Sequence, residues 1–356
     1  MQKFAISVPV GAWHPFLPQA LASLKSQGAG VAVALLDASG DARVKAVADD
    51  NADWLAFRRH GPDKGQSDAI LEGWANLEGD WLGWLNADDI LMPGALAQIR
   101  AAHAADPSLE VIYGHSTILD DSGAMTGYHF NVERPGDRLL QAGIISQPSC
   151  LFSRAAYDRA GGLNRDLHYT MDWDLWIRLY KDGAKFGFVD APISMVLWAA
   201  GTKTASLNKR RRAELKALIS RHAPEAARKA VFRDFAIHAI IDMIWPDSLR
   251  QKVIRRLRGT GPSVYGIGAD GRMAETVRLV LAHYAPQGRA GVSLKFDGDA
   301  TGLNVTASLP VKQILAAGQG MDLMLETPLA PGETLELSLS RAGGGEPVYF
   351  RRAGWI

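Results

Sequence analysis

Residues 81–94 read WLGWLNADDILMPG, and everything else in the chain is organised around them. The apolar run Trp81–Leu85 reads as a buried strand. Beyond it, PGALAQIRAAHAAD (residues 93–106) reads as a helix with Pro93 in its first turn, where the missing N–H costs nothing. Between them Asp88 and Asp89 stand side by side. Like charges so close are expensive unless a cation or a positive dipole offsets them. One reading makes an aspartate the N-cap of the following helix, worth about 1 kcal/mol, which accounts for one of the two. The other is a hard divalent cation held by one or two carboxylates, with waters and phosphates completing its shell.

Outward from this stretch, strands and helices alternate. FAISVPV is a first strand, and Leu17, Leu21 and Leu24 recur at helical spacing behind it. VAVALLDAS is a second strand ending in Asp37, DARVKAVADD a helix, WLAFRR a third strand, and GQSDAILEGWANL a helix with Ile70, Trp74 and Leu77 on one face. VIYGHSTILDDSGAMTGYHF reads as two strands about an Asp-Ser-Gly turn. The alternation implies an α/β fold with a Rossmann-like, mostly parallel sheet, whose ligands sit at the carboxyl ends of strands. Asp37, Asp88 and Asp89 all fall at such ends.

The chain of 356 residues is 47% hydrophobic and 22% charged, typical of a globular protein with two or three domains. Its one cysteine, Cys150, excludes an internal disulfide and a multi-cysteine metal site, so a reducing compartment is expected. MQKFAISVPV lacks the apolar core of a leader, and no run approaches the roughly 18 apolar residues of a membrane span. The expected location is cytoplasmic. The net charge of +1 conceals an asymmetry: Lys203–Arg258 holds fifteen Lys or Arg against five Asp or Glu, about +10, leaving about −9 elsewhere.

Residues 205–260 read as basic helices interrupted at Pro224 and Pro246. Residues 261–356 change character, with short runs such as GVSLKF, LNVTASL and TLELSLS between Gly, Pro and Asp turns, the pattern of an all-β sandwich. GIGADG (residues 266–271) matches a glycine-rich dinucleotide motif, but no helix pattern follows it, so it reads as a turn.

The stretch GPDKGQSDAILEGWANLEGDWLGWLNADDILMPGAL resembles bacterial family 2 glycosyltransferases of GT-A fold, and the likeness continues through VIYGHSTILDDSG and ISQPSCLFSRAAYDRAGGLNRDLHYTMDWDLWIRL. It covers roughly residues 3–205. The resemblance implies a GT-A catalytic domain over 1–204, a nucleoside-diphosphate sugar as donor, and Mg²⁺ or Mn²⁺ neutralising the departing diphosphate. It implies that Asp89 is a metal ligand and Asp88 a ribose or second metal contact. Asp37 is expected at the base or ribose, and Pro9, Lys64, Gln66 and Asp68 along the donor pocket. Such enzymes invert, so one general base is needed; Asp172 matches it, with Asp174 the alternative. Trp173, Asp174 and Trp176 are expected on the acceptor side, the two tryptophans as core residues or a sugar-stacking surface.

Two departures stand out. Where the family carries a histidine near the diphosphate this chain has Ala200, with Thr202 and Lys203 following, and the loop PVGAWHPF lacks the usual Tyr-Asn. The expected acceptor is a glycan or a polyprenyl-linked sugar in bacterial polysaccharide synthesis. That acceptor class favours reading the basic stretch 203–258 as a contact with an anionic membrane surface on the inner face of the plasma membrane. Nucleic acid is not an expected partner, since no binding motif accompanies the charge. Two alternatives are a sugar-phosphate nucleotidyltransferase, against which the absence of a glycine-rich, Arg-containing first loop counts, and a nucleotide-sugar-binding protein without turnover.

Overall fold

The computed structural model of the protein describes residues 2–129, 131, 133–198, 208–242, 253, 263–341 and 346–356. In chain order the first part comprises β1 (Phe4–Val10), α1 (Leu17–Lys25), β2 (Val31–Asp37), α2 (Ala42–Asp50), β3 (Phe57–His60), α3 (Gln66–Ala75), β4 (Trp81–Trp84), β5 (Ile90–Leu91), α4 (Ala95–Ala105) and β6 (Val111–Leu119). There follow β7 (Met125–His129), β8 (Cys150–Ser153), α5 (Arg154–Arg159), α6 (Met171–Lys181), β9 (Phe186–Leu197), α7 (Lys209–His222) and α8 (Glu225–Asp242).

Two compact units divide the chain: one holds residues 1–116, 131–196 and 206–235, the other residues 117–130, 197–205 and 236–356. The expected boundary after residue 204 is therefore displaced. The basic helix α7 belongs to the first unit because Leu215, Leu218 and Ile219 on one of its faces join that unit's core, along with Ala223 and Val231. Its cationic side chains Lys209, Arg210, Arg212 and Lys216 are exposed on the other.

In the first unit β1 pairs in parallel with β2 along its whole length, Phe4 opposite Val31 and Val10 opposite Asp37, and with β4 over Phe4–Ser7. β3 extends the sheet beyond β2, with His60 opposite Asp37. Beyond β4 the sheet turns antiparallel: β8 pairs with β4 and β6, and β5 with β9. The sheet is thus mixed. It is parallel where helices cross over between neighbouring strands, as alternation predicts, and antiparallel beyond. The carboxyl ends of the four parallel strands share one edge, where Leu85 N–H still reaches Ser7 O at 3.0 Å.

Helix α3 lies against β1. Ser7 Oγ donates to Ile70 O at 2.9 Å, and a Cβ on Gly73 would stand 2.3 Å from Ser7 Oγ, so only glycine allows this approach. Behind it is an aromatic core: Trp74 meets Trp84, Phe152 and Tyr157 edge-on, and Trp84 stacks on Trp176 at 6.0 Å.

The second unit is strand-rich, as expected. β10 (Ser263–Val264) and β11 (Ile267–Gly268) form a hairpin, and β12 (Thr276–Ala282), β13 (Arg289–Asp297), β14 (Asn304–Ala307), β15 (Val311–Ala317), β16 (Gly320–Leu329), β17 (Thr334–Ser340) and β18 (Tyr349–Trp355) follow. One sheet runs β12-β17-β14 and another carries β15-β16-β13-β18. Alternate residues of both are buried, among them Leu279, Leu335, Leu337, Leu294, Leu323 and Phe350. GIGADG is turn chemistry: Tyr265 and Gly266 close the hairpin at φ 48° and 81°. The Asp-Ser-Gly turn also forms, with Asp120 Oδ1 accepting from Ser122 and Ala124 N–H and Gly123 at φ 76°.

Candidate active site

The two aspartates after β4 do not cap a helix. β5 intervenes and α4 begins only at Ala95, with Gly94 at its N-cap. The helix thus starts two residues later than the expected Pro93, and the capping reading falls. Asp89 N–H instead donates to Asn86 O at 3.1 Å, closing a tight turn at the strand end. The Asp89 carboxylate is buried at 3% exposure and its Oδ2 accepts from Asn86 Nδ2 at 2.9 Å. Asn86 Oδ1 accepts from Gln66 Nε2 at 2.6 Å, so the first residue of α3 and the end of β4 are joined through one amide. Gln147 completes the group: its Oε1 lies 3.3 Å from Asn86 Nδ2 and its Nε2 donates to Trp84 O at 2.7 Å. Asp88 is partly exposed, and its carboxylate takes no hydrogen bond or ion pair among the described residues.

At the neighbouring strand ends Asp37 is also buried, at 3%. Its Oδ1 accepts from Ser39 N–H at 2.8 Å and Ser39 Oγ at 2.5 Å, and its Oδ2 pairs with His60 Nδ1 at 2.9 Å. Pro9 sits near the end of β1, past the last residue paired with β4, where a missing N–H breaks no ladder. Lys64 is exposed on the loop before α3. That loop is held by Asp63 Oδ1, which accepts from Gly65 N–H at 2.8 Å, and by Arg59, whose guanidinium bonds Glu72 and Gly61 O. Asp68 points to Arg165, with which it forms an ion pair at 3.1 Å.

The start of α6 is brought to this group by α3: Ser67 Oγ, beside Gln66, lies 2.9 Å from Met171 Sδ and 3.1 Å from Leu167 O. Asp172 follows Met171. Glu214 of α7 braces the preceding loop by accepting from His168 and Tyr169 N–H at 3.1 and 2.7 Å. Burial raises the Asp172 carboxyl above its ordinary value, against the pull of N–H donors in the first helical turn, Trp173 N among them at 2.7 Å. The same carboxylate lies close enough to Cys150, three residues after Gln147, to reinforce the rise that burial imposes on that thiol.

Asp174 has a different setting. At 2% exposure it pairs with Arg178 at 2.8 Å and lies 3.5 Å from His222. Burial alone would raise its carboxyl, but the His222 and Arg178 contacts outweigh that and hold it below the ordinary value. This is a structural ion pair rather than an available base. Trp173 and Trp176 are likewise core residues: Trp173 donates Nε1–H to Leu139 O at 2.6 Å and packs on Phe235, and Trp176 is fully buried. Of the two alternatives, core residues or a sugar-stacking surface, their burial matches the first; two large apolar rings contribute more packed inward than exposed. Ala200, Thr202, Lys203, Pro246 and most of 243–258 lie outside the described residues.

No group of three or more His, Cys, Asp or Glu side chains suited to a metal occurs among the described residues. Asp88 and Asp89 fit a cation held by one or two carboxylates and otherwise by phosphate and water, as Mg²⁺ is.

Residues 11–161 match the model of glycosyl transferase family 2. That segment belongs to the family. Among curated relatives, the O-antigen biosynthesis protein RfbC of Myxococcus xanthus is 29% identical over 125 residues, 35% of this chain and 10% of RfbC. A PGL/p-HBAD biosynthesis glycosyltransferase of Mycobacterium bovis is 27% identical over 186 residues, 51% of this chain and 71% of that protein. The chain spans only a tenth to about a fifth of the length of RfbC and an uncharacterized Rickettsia felis glycosyltransferase. The crystal structure of S. aureus TarS 1–349 in complex with UDP-GlcNAc shares the fold, at TM-score 0.51 and 16% identity, over 66% of this chain and 71% of that one. The GT-A glycosyltransferase fold expected from the NADD stretch is therefore present.

Asn86, Gln147, Ser39 and His60 were not singled out as site residues in the sequence. Asn86 and Gln147 lie inside WLNADD and ISQPS, so their positions are visible in the sequence though their roles are not. His60 carried no signal of its own.

Proposed function

We propose that the chain is a metal-dependent inverting glycosyltransferase that moves a sugar from a nucleoside-diphosphate sugar to a hydroxyl of a glycan or polyprenyl-linked acceptor in bacterial polysaccharide synthesis. The observation that carries this reading is the Gln66–Asn86–Asp89 network at the end of β4, with the carboxylate of Asp88, unpaired among the described residues, beside it, inside the family 2 segment. Asp89 and Asp88 would hold Mg²⁺ or Mn²⁺ against the diphosphate, where the cation offsets the charge of the leaving group. Asn86 and Gln66 keep the Asp89 carboxylate turned to that position. The nucleoside end lies by Asp37, with Pro9, Lys64 and Asp68 along the same edge.

Asp172 takes the proton of the attacking hydroxyl. A carboxylate whose pKa burial has raised is a stronger base when ionised, which is what that step requires. Asp174 only positions the helix. Among the described residues no helix is long and apolar enough to cross a membrane, so contact with lipid would rest on the exposed cations of α7 and the basic stretch after it.

A thermal-shift screen of UDP-, GDP- and dTDP-sugars with and without Mn²⁺ tests this on wild type and Asp89→Ala. A ligand held only by the native state raises the melting temperature by mass action. A shift that needs both Mn²⁺ and Asp89 is expected. A folded wild-type protein that shows none at millimolar ligand would overturn the donor site and favour a different role for the two aspartates.

A further inference from the structure

We infer that His60, oriented by Asp37, is the residue that meets the nucleoside of the donor, accepting a hydrogen bond at Nε2 from a ribose hydroxyl or a base N–H. This deepens the donor-site reading above and rests on it.

Asp37 is poorly placed to meet a ligand itself. Both of its oxygens are engaged, Oδ1 by two donors of Ser39 and Oδ2 by His60, and almost none of the residue is exposed. Ser39 Oγ in turn accepts from Asp41 N–H at 3.0 Å, so Oδ1 is part of the turn that leads into α2. His60 lies directly opposite Asp37 in the parallel register, at the carboxyl end of β3, and about a third of its side chain is exposed at 32%. A carboxylate accepts only, so Nδ1 carries the proton in the bond between them, and in the neutral ring Nε2 is then the acceptor. With Nδ1 turned inward to a buried partner, the ring directs its other nitrogen away from Asp37. No partner takes Nε2 among the described residues.

The frame around the ring is rigid. Arg59 ties the flanking backbone together through Gly61 O, Asp37 O and Glu72, and Gly61 N–H donates to Asp37 O at 2.9 Å. A preorganised acceptor at the end of a strand selects for ligand O–H or N–H groups over ligands without them. Asp37 is then a positioning residue and His60 the contact.

The test is calorimetric titration, with Mn²⁺ present, of UDP, GDP, their 2′-deoxy counterparts and inorganic pyrophosphate into wild type, His60→Phe, His60→Ala, His60→Gln and Asp37→Asn. Losing one neutral hydrogen bond is expected to weaken the tighter nucleotide about three- to tenfold in His60→Phe and His60→Ala, with pyrophosphate unchanged. His60→Gln, which retains an acceptor, recovers most of the affinity. Asp37→Asn, whose amide would donate to Nδ1 and put the ring proton on Nε2, shows the same nucleotide-selective loss. A wild-type preference for the ribonucleotide that disappears in His60→Phe assigns the bond to the 2′-hydroxyl. An equal His60 effect on the 2′-deoxy nucleotide assigns it to the base or the 3′-hydroxyl. Nucleotide affinity indifferent to His60, or a loss shared equally by pyrophosphate, would overturn this inference alone. Absence of any nucleotide binding by folded wild type would instead remove the donor-site reading beneath it.

Discussion

Replacing Asp172 and Asp174 separately with Asn will give opposite results, although the two lie two residues apart on α6. Asp174 is buried and paired with Arg178 and His222. Removing one partner of a buried pair costs about 3–5 kcal/mol. Arg178 is 23% exposed, so solvent recovers part of this, and a loss of about 2–3 kcal/mol is expected. At about 2–4 °C per kcal/mol for a domain of this size, Asp174→Asn melts roughly 4–12 °C below wild type near neutral pH. Because the folded carboxyl is held below its unfolded value of 3.8, the pair's contribution is complete above that value and is lost as pH falls through the folded one. The gap between wild type and Asp174→Asn therefore closes in acid.

Asp172 runs the other way. Burial raises its carboxyl, so its ionised form costs stability above the folded pKa and costs nothing below the unfolded value, where both states are protonated. Asp172→Asn keeps an acceptor for Trp173 N–H and sheds a partly buried charge, so it melts at or above wild type near neutral pH. Its turnover falls about 10²–10⁴-fold, the contribution of a general base, while wild-type turnover rises with pH through the raised pKa. The assays are calorimetric melts across pH and release of nucleoside diphosphate from the donor identified by binding. An Asp174→Asn protein as stable as wild type, or an Asp172→Asn protein that keeps its turnover, would refute the division of roles.

Three further outcomes follow from particular contacts. Trp176→Ala empties a core position stacked on Trp84 and is expected to lose about 3–5 kcal/mol in urea unfolding, where an acceptor-binding role would instead change KM at constant stability. Asn86→Leu removes the amide between Gln66 and Asp89, and is expected to lose about 2 kcal/mol of stability and to diminish the Mn²⁺-dependent melting shift with donor; a full shift in that variant would show the amide to be dispensable. Gly266→Val places a Cβ 2.1 Å from Thr276 O at a positive φ, so the C-terminal unit is expected to melt earlier by the equivalent of about 1–3 kcal/mol while donor binding by the N-terminal unit is retained; an unchanged melt would show the turn to be more accommodating than its geometry implies.

Much of the architecture was present in one-dimensional pattern. The period of apolar residues set strands against helices, since a strand end or an amphipathic face is a local property of a few consecutive side chains. The NADD stretch and its flanking motifs located the family segment for the same reason. Other features depended on residues far apart in the chain. Whether Asp88 and Asp89 cap a helix turned on a two-residue strand, β5, which exists only because β9, a hundred residues on, pairs with it. Asp172 and Asp174 are both acidic residues at a helix start, and only the packing of α7, bringing His222 to Asp174, gives the two carboxylates different settings. Trp173 and Trp176 carry no local mark of which way they face. His60 is one histidine after two arginines until parallel register sets it opposite Asp37. Sequence pattern thus determined the elements and the motif at their ends. The chemistry of each side chain was decided by tertiary structure, because burial, pairing and protonation are properties of neighbours that the chain supplies from a distance.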